Sequence, residues 1–295
     1  MGKIVAQFIQ LLFNGAALGG IYALVALGFI LVSQGTGIVN FATGQFVMVG
    51  AFFAVTTVLQ FGLGTLPGAF LALLMMAGFG VLFFLIVHKP LQSRSAVTVI
   101  MGTVFVGITI QNLGLLIWGA LPVRPPSPFG SAAFNIGGAI VTVHSAFTIL
   151  VTVLMIALLY VLLYRSSFGN QMRAVAQDPE AAVLMGIRKE FILASSWIIA
   201  ALLAGVAGIL LGPIWFADVT MGDPIALKAF AAAIIGGFGS IHGAILGGLF
   251  VGLAEMFGAA YITSAYKDAL VFFIMLVFLV FRPEGIFAER IGTRG

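Results

Sequence analysis

The chain has 295 residues, 62% of them hydrophobic and only 7% charged, with a net charge of +4, whereas an ordinary soluble domain carries about 25% charged residues. A soluble fold of this size has too small an interior to hide that much apolar surface, so lipid is the solvent for most of the chain. The absence of cysteine excludes disulfides, cysteine-ligated metals and thiol nucleophiles, and the lysines and arginines lie between apolar runs rather than in a basic cluster, which excludes a nucleic-acid surface.

Lys3 precedes an apolar run that continues to Ile30 with no small-residue cleavage pattern, so the segment reads as a retained first span and not a signal peptide. Ala6 stands where a myristoylation motif needs Ser or Thr. A helical span needs about 20 apolar residues, and such runs cover 8–32, 40–59, 66–87, 95–119, 144–164, 191–216, 243–262 and 267–281. A shorter Ala- and Gly-rich piece, 226–239, reads as a crossing helix, with a re-entrant segment or half helix as the alternative. The expected fold is all-α: one polytopic transmembrane helical bundle over 1–295, with about 8–9 membrane segments.

The stretch Gly35–Gly50 mixes Thr36, Asn40, Thr43 and Gln45 with Gly37 and Gly44, which predicts a broken second helix. Asn40, Gly44 and Gln45 either line a pathway or hydrogen-bond neighbouring helices. The same two roles stay open for Gln111 and Asn112, whose amides cost free energy at that depth unless paired. Lys89 and Arg94 mark 88–94 as cytoplasmic, as Arg165, Arg173, Arg188 and Lys189 mark 165–190, and Arg282, Arg290 and Arg294 mark the tail. The 120–143 connection holds only Arg124 and is rich in proline (PVRPPSPFG, 122–130), so it reads as an extended external loop. Asp218 and Asp223 read as solvated residues of the external loop 217–225.

Gly15 and Gly19, and Gly248 and Gly252, lie one turn apart and predict close helix packing. Glu255 is the acidic residue well inside an apolar span, a functional candidate by default. It faces the translocation route, pairs with Lys228 or Lys267, or is protonated and structural. His88, His144 and His242 are far apart in sequence, so no metal site is expected.

The segment RAVAQDPEAAVLMGIRKE, 173–190, carries the most information. Asp178 is an N-cap, Pro179 fits the first helical position, and Glu180 complements the helix dipole. Gly186 is placed to end the helix in the left-handed region. The result is a two-turn helix, marginal alone. Ala181, Leu184 and Met185 give it one apolar face, which suits a groove in a soluble cytoplasmic partner.

DPEAAVLMGI resembles the EAA loop of ABC importer permeases, in which EAA and three further residues precede Gly: here Glu180, Ala181, Ala182 and Gly186. The Leu-Pro of the broader pattern is replaced by Ile199 and Ala200. NGAALGGIYALVALGFILV (14–32), TGIVNFATGQFVMVGAF (36–52), GNQMRAVAQDPEAAVLMGI (169–187), GGFGSIHGAILGG (236–248) and FRPEGIFAER (281–290) are similar, in that order, to LivH-type permeases of branched-chain amino acid importers.

The resemblance implies a bacterial inner-membrane permease whose segment Asp178–Gly186 couples to an ATPase. It implies two ATPase subunits, which hold ATP and Mg, a second related permease and a periplasmic binding protein. No cofactor and no catalytic residue are expected in this chain. Consistent with that, it has no GxxxxGK[ST] loop, and GGFGSIHG lacks the lysine that reaches a phosphate. A proton- or sodium-coupled secondary transporter using Glu255, or an ABC permease for another amino acid, an amide or urea, is the alternative. An intramembrane enzyme is disfavoured, because no catalytic constellation lies within the spans.

Overall fold

The computed structural model describes residues 2–282 and 284–287. In chain order the helices are α1 (Gly2–Thr36), α2 (Thr43–Val55), α3 (Thr65–Phe83), α4 (Lys89–Leu91), α5 (Ala96–Trp118), α6 (Val143–Tyr164), α7 (Ser167–Gln177), α8 (Pro179–Leu184), α9 (Lys189–Trp215), α10 (Gly222–Gly236), α11 (Ile241–Tyr261) and α12 (Lys267–Phe281). Strands β1 (Ala133–Ile136) and β2 (Ala139–Thr142) form one antiparallel hairpin. π-helical turns at Thr56–Gln60 and Phe84–His88 prolong α2 and α3.

Among the described residues, seven helical stretches are long and apolar enough to cross a membrane. α10 and α12 add two apolar helices of 15 residues, each about 22 Å long against a hydrocarbon core of about 30 Å. The expected all-α polytopic bundle is therefore what the chain forms. Arg290 and Arg294, on which the reading of the tail partly rests, lie outside the described residues.

Three local expectations are corrected. The break expected in the second helix falls between α1 and α2, at residues 37–42, and α2 runs unbroken through Gly44 and Gln45. The piece expected at 226–239 begins earlier, so Asp223 is no loop residue but opens α10, where its charge complements the dipole and Pro224 needs no N–H partner. The 120–143 connection is irregular through its prolines and then folds into the hairpin, because Gly137 and Gly138, at φ 57° and 89°, supply a two-residue turn.

The chain divides into two compact units. The first holds the described residues up to Ile30, Ser127–Val153 and those from Leu227 onward. Here α1 and α11 cross at the predicted glycine pairs: a Cβ on Gly19 would stand 2.8 Å from the Gly248 oxygen. Helices in lipid gain little from apolar burial against one another, so this backbone approach is their attraction. α10 and α11 form a hairpin around residues 237–240. The Ile286 and Phe287 N–H groups donate to the Ile235 and Gly236 carbonyls at 3.0 and 2.9 Å, so the chain beyond α12 returns to the end of α10.

The second unit holds Leu31–Pro126 and Leu154–Ala226. α2 is its centre, buried along nearly all its length against α3 and α9. Gly50 admits the backbone of Gly205, where a Cβ would meet Cα at 2.6 Å. Phe46 packs edge-on against Phe79 and Phe83, with centroids 5.0 and 4.9 Å away. Trp118 stacks on Phe52 at 4.8 Å and donates its Nε1 hydrogen to Thr56 Oγ1 at 2.8 Å.

Candidate functional site

The segment 165–190 contains two helices rather than one. Ser166 caps α7, which sequence reading left unassigned although Phe168, Met172 and Val175 repeat at helical spacing; Met172 and Val175 are buried. Arg173 fixes α7 to the end of α6, donating to the Leu163 carbonyl at 2.7 Å and to Asn170 Oδ1 at 2.5 Å. The Asp178 carboxylate then accepts from the Glu180 and Ala181 N–H groups at 3.1 and 3.0 Å and opens α8, with Pro179 in its first turn.

Gly186 closes the turn at φ 82°. Its N–H donates to Val183 O at 2.9 Å and the Ile187 N–H donates to Ala182 O at 3.0 Å, the pair of hydrogen bonds that satisfies the last carbonyls of a helix. Ala182 is buried beneath α8, while Leu184 and Met185 are 87% and 83% exposed. Ala181 and Glu180 are exposed beside them. Leucine and methionine at that exposure, on a turn capped at both ends, form a rigid apolar knob.

A second arrangement joins the starts of α2 and α10. Both helices follow a long helix and a short non-helical segment, 37–42 before α2 and 216–221 before α10. Their first residues meet: a Cβ on Gly44 would stand 2.8 Å from the Ala226 Cβ, and one on Gly222 would stand 3.0 Å from Gln45 Oε1. Gln45 donates its Nε2 hydrogen to Asp223 Oδ1 at 2.7 Å, and its buried Oε1 has no partner among the described residues. Asn40 is held locally: its Nδ2 donates to Thr43 Oγ1 at 3.2 Å and its Oδ1 accepts the Ala42 N–H at 3.1 Å.

Asn40 also lines a cavity with room for about one water. Thr36, Thr103, His88 and Trp197 line it too. His88 Nε2 and Trp197 Nε1 are buried and have no hydrogen-bond partner among the described residues. Gln111 and Asn112 are not drawn into these groups. Gln111 is half-buried on α5, and Asn112 is exposed, its Nδ2 donating to Ile108 O in its own helix at 2.8 Å.

Glu255 lies in the first unit, within a buried ion cluster. Lys228 Nζ is 2.7 Å from Glu255 Oε1 and 2.7 Å from Asp268 Oδ1. Lys267 Nζ is 3.6 Å from Glu255 Oε1, and the Tyr22 hydroxyl donates to Oε2 at 2.6 Å. Lys228 and Glu255 are buried, whereas Lys267 and Asp268 are partly exposed; two lysines and two carboxylates make the cluster neutral, which is how the buried pair is tolerated. Among the described residues no three His, Asp or Glu side chains converge into a metal-binding group.

The sequence points to both lysines as partners of Glu255, whereas Tyr22, Asp268, Trp197 and the role of Asp223 emerge from the packing. The signal for Asp223 was present: Gly222-Asp223-Pro224 opens an apolar run as Asp178-Pro179 does.

A family model described as "Branched-chain amino acid transport system / permease component" matches residues 11–279. The chain is 33% identical to the high-affinity branched-chain amino acid transport system permease protein BraD of Pseudomonas aeruginosa, over 95% of each chain. It is 32% identical to the protein LivH of the same description from Escherichia coli, over 97% of each. With a probable branched-chain amino acid transport permease protein LivH of Methanocaldococcus jannaschii it shares 32% identity over 94% of this chain and 92% of the other.

Proposed function

We infer, from the premise that this chain belongs to the family of permease components of branched-chain amino acid transport systems, that it is the membrane-crossing subunit of an ATP-driven importer of leucine, isoleucine and valine. It is a multi-pass membrane protein, and we place it in the bacterial inner membrane. The relatives are transport permeases and not enzymes. In this reading two separate ATPase subunits bind ATP and Mg, a second related permease completes the pathway, and a periplasmic binding protein delivers the solute.

The observation that carries the reading is the exposed knob of Leu184 and Met185 on a turn fixed by Asp178 and Gly186. An apolar patch held rigid in water is a docking element for a groove. ATP-driven closure of the partner moves the knob and, through α9, the centre of the second unit. Such a drive needs contacts that differ between two states, which a separate hydrolysing subunit supplies.

The positive-inside distribution puts 88–94, 165–190 and the tail in the cytoplasm. The return of the chain beyond α12 to the end of α10 means that both helices finish at one end of their unit, in keeping with a crossing α10. The exposed Asn112 supports a second permease, since an amide facing lipid is costly and one facing a partner or a wet pathway is not. A proton-driven transporter would work through Glu255, whose two oxygens are instead engaged by Lys228, Lys267 and Tyr22.

The chain has no cysteine, so Leu184→Cys supplies a unique thiol. Short cross-linkers on it are expected to capture the ATPase in the assembled transporter. Capture only of the binding protein, from the opposite side, would overturn the reading.

A further inference from the structure

We propose that the Asp223 carboxylate and the Gln45 Oε1 atom form the subsite that receives the α-ammonium group of the transported amino acid. The proposal rests on the importer reading above and adds to it where one end of the solute is held.

Four observations converge on this place. The starts of α2 and α10 meet backbone to backbone at Gly44 and Gly222, where a Cβ on either glycine would collide with the carbonyl of the other. Gln45 is 4% exposed, and its Oε1 faces the bare Cα of Gly222 without a hydrogen-bond donor. Its other end is pinned, because Nε2 donates to Asp223 Oδ1 at 2.7 Å. Asp223 itself is exposed, and among the described residues no lysine or arginine pairs with it.

Depth makes that charge informative. α10 has 15 residues, so Asp223 stands about 20 Å from the end of the helix where the chain beyond α12 docks. A hydrocarbon core is about 30 Å thick, so an α10 that ends at the cytoplasmic boundary carries Asp223 within that thickness. A carboxylate at that depth faces a wet pathway and not lipid. Among the described residues no cation pairs with it, and an ammonium group supplies one.

An ammonium has three hydrogens and no acceptor. The carboxylate and the orphaned carbonyl offer it the acceptors it needs, while Gln45, oriented by Asp223, cannot turn its amide hydrogens toward the same point. A long helix, a break and a further helix occur twice, as α1–α2 and α9–α10. With the cytoplasmic loops placed as above, α1 and α9 run in opposite senses across the membrane. Paired broken helices of opposite sense are where transporters place solutes.

The test is equilibrium binding to the purified full transporter in lipid nanodiscs, with leucine and with 4-methylpentanoate, which keeps the side chain and carboxylate but lacks the ammonium. Asp223→Asn is expected to weaken leucine binding on the order of 10- to 100-fold, as for a lost hydrogen bond to a charged group, and to leave 4-methylpentanoate unaffected. Gln45→Leu, which deletes Oε1 and keeps the carboxylate, should weaken leucine less. Unchanged leucine affinity in Asp223→Asn would overturn the proposal, as would an equal loss for both ligands or a sodium requirement that the substitution abolishes. If the unsubstituted transporter binds no leucine while ATP still drives uptake of another solute, the branched-chain assignment fails first, and the subsite is refuted with it.

Discussion

Lys228 Nζ and Glu255 Oε1 stand 2.7 Å apart, each residue 1% exposed, joining α10 to α11 inside the first unit. The pair is completed by Asp268, Lys267 and the Tyr22 hydroxyl. Removing Lys228 leaves the buried Glu255 carboxylate with only the more distant Lys267, 3.6 Å away, as its counter-charge. Lys228→Met is therefore expected to cost about 3–5 kcal/mol of stability, and the double substitution Lys228→Met with Glu255→Leu much less. Thermal unfolding of the detergent-solubilised chain measures both. A single substitution as stable as the parent would show that the cluster holds nothing together.

Tyr22→Phe is a finer probe of the same cluster. It removes only the hydroxyl that donates to Glu255 Oε2 at 2.6 Å, and a hydrogen bond to a charged group is worth about 1.5–3 kcal/mol. The loss should shrink to little in a Glu255→Leu background, which a double-mutant cycle reads directly.

The crossing of α1 and α11 depends on the absence of side chains at Gly19 and Gly248. A leucine at Gly19 would drive into the Leu249 backbone, whose Cα is 2.8 Å from the position of a Cβ. Overpacking costs about 1–3 kcal/mol in an adaptable core, occasionally more; two apposed backbones adapt little, so Gly19→Leu is expected at or beyond the upper end. Yield of monodisperse protein and its melting temperature check this, with Gly78→Leu, at an open position, as the control.

The exposed turn at Asp178–Gly186, if it couples as proposed, separates docking from folding. Leu184→Asp alters an 87% exposed side chain and should leave the melting temperature unchanged while abolishing co-purification of the ATPase. Ala182→Asp is the contrasting variant: that side chain is buried, so the new carboxylate would unseat α8 itself. Asp178→Ala, which deletes the cap, should cost about 1 kcal/mol locally and weaken ATPase capture only partly.

Much of this was legible in the sequence, for identifiable reasons. Long apolar runs report directly on helices in lipid, and the predicted span 267–281 coincides with α12. The cap at Asp178 and the terminator at Gly186 were legible because their chemistry is local. Helix ends were less so. α1 begins earlier and finishes later than 8–32 because nothing in Gln7 or Ser33 forbids helix. What sequence could not supply is which polar residues meet. Asp223 reaches Gln45 across 178 positions of chain, and only the packing of Gly44 on Gly222 brings them together. Asn40, for which the sequence leaves pathway lining and hydrogen bonding equally open, closes a local turn with Thr43.

The importer reading stands most directly on one measurement: leucine uptake into liposomes holding the complete complex, with the binding protein outside relative to the ATPases. Uptake that requires ATP, stops with vanadate and vanishes in the Leu184→Asp complex is the expected result. Uptake by this chain alone, driven by a proton or sodium gradient and indifferent to ATP, would contradict it.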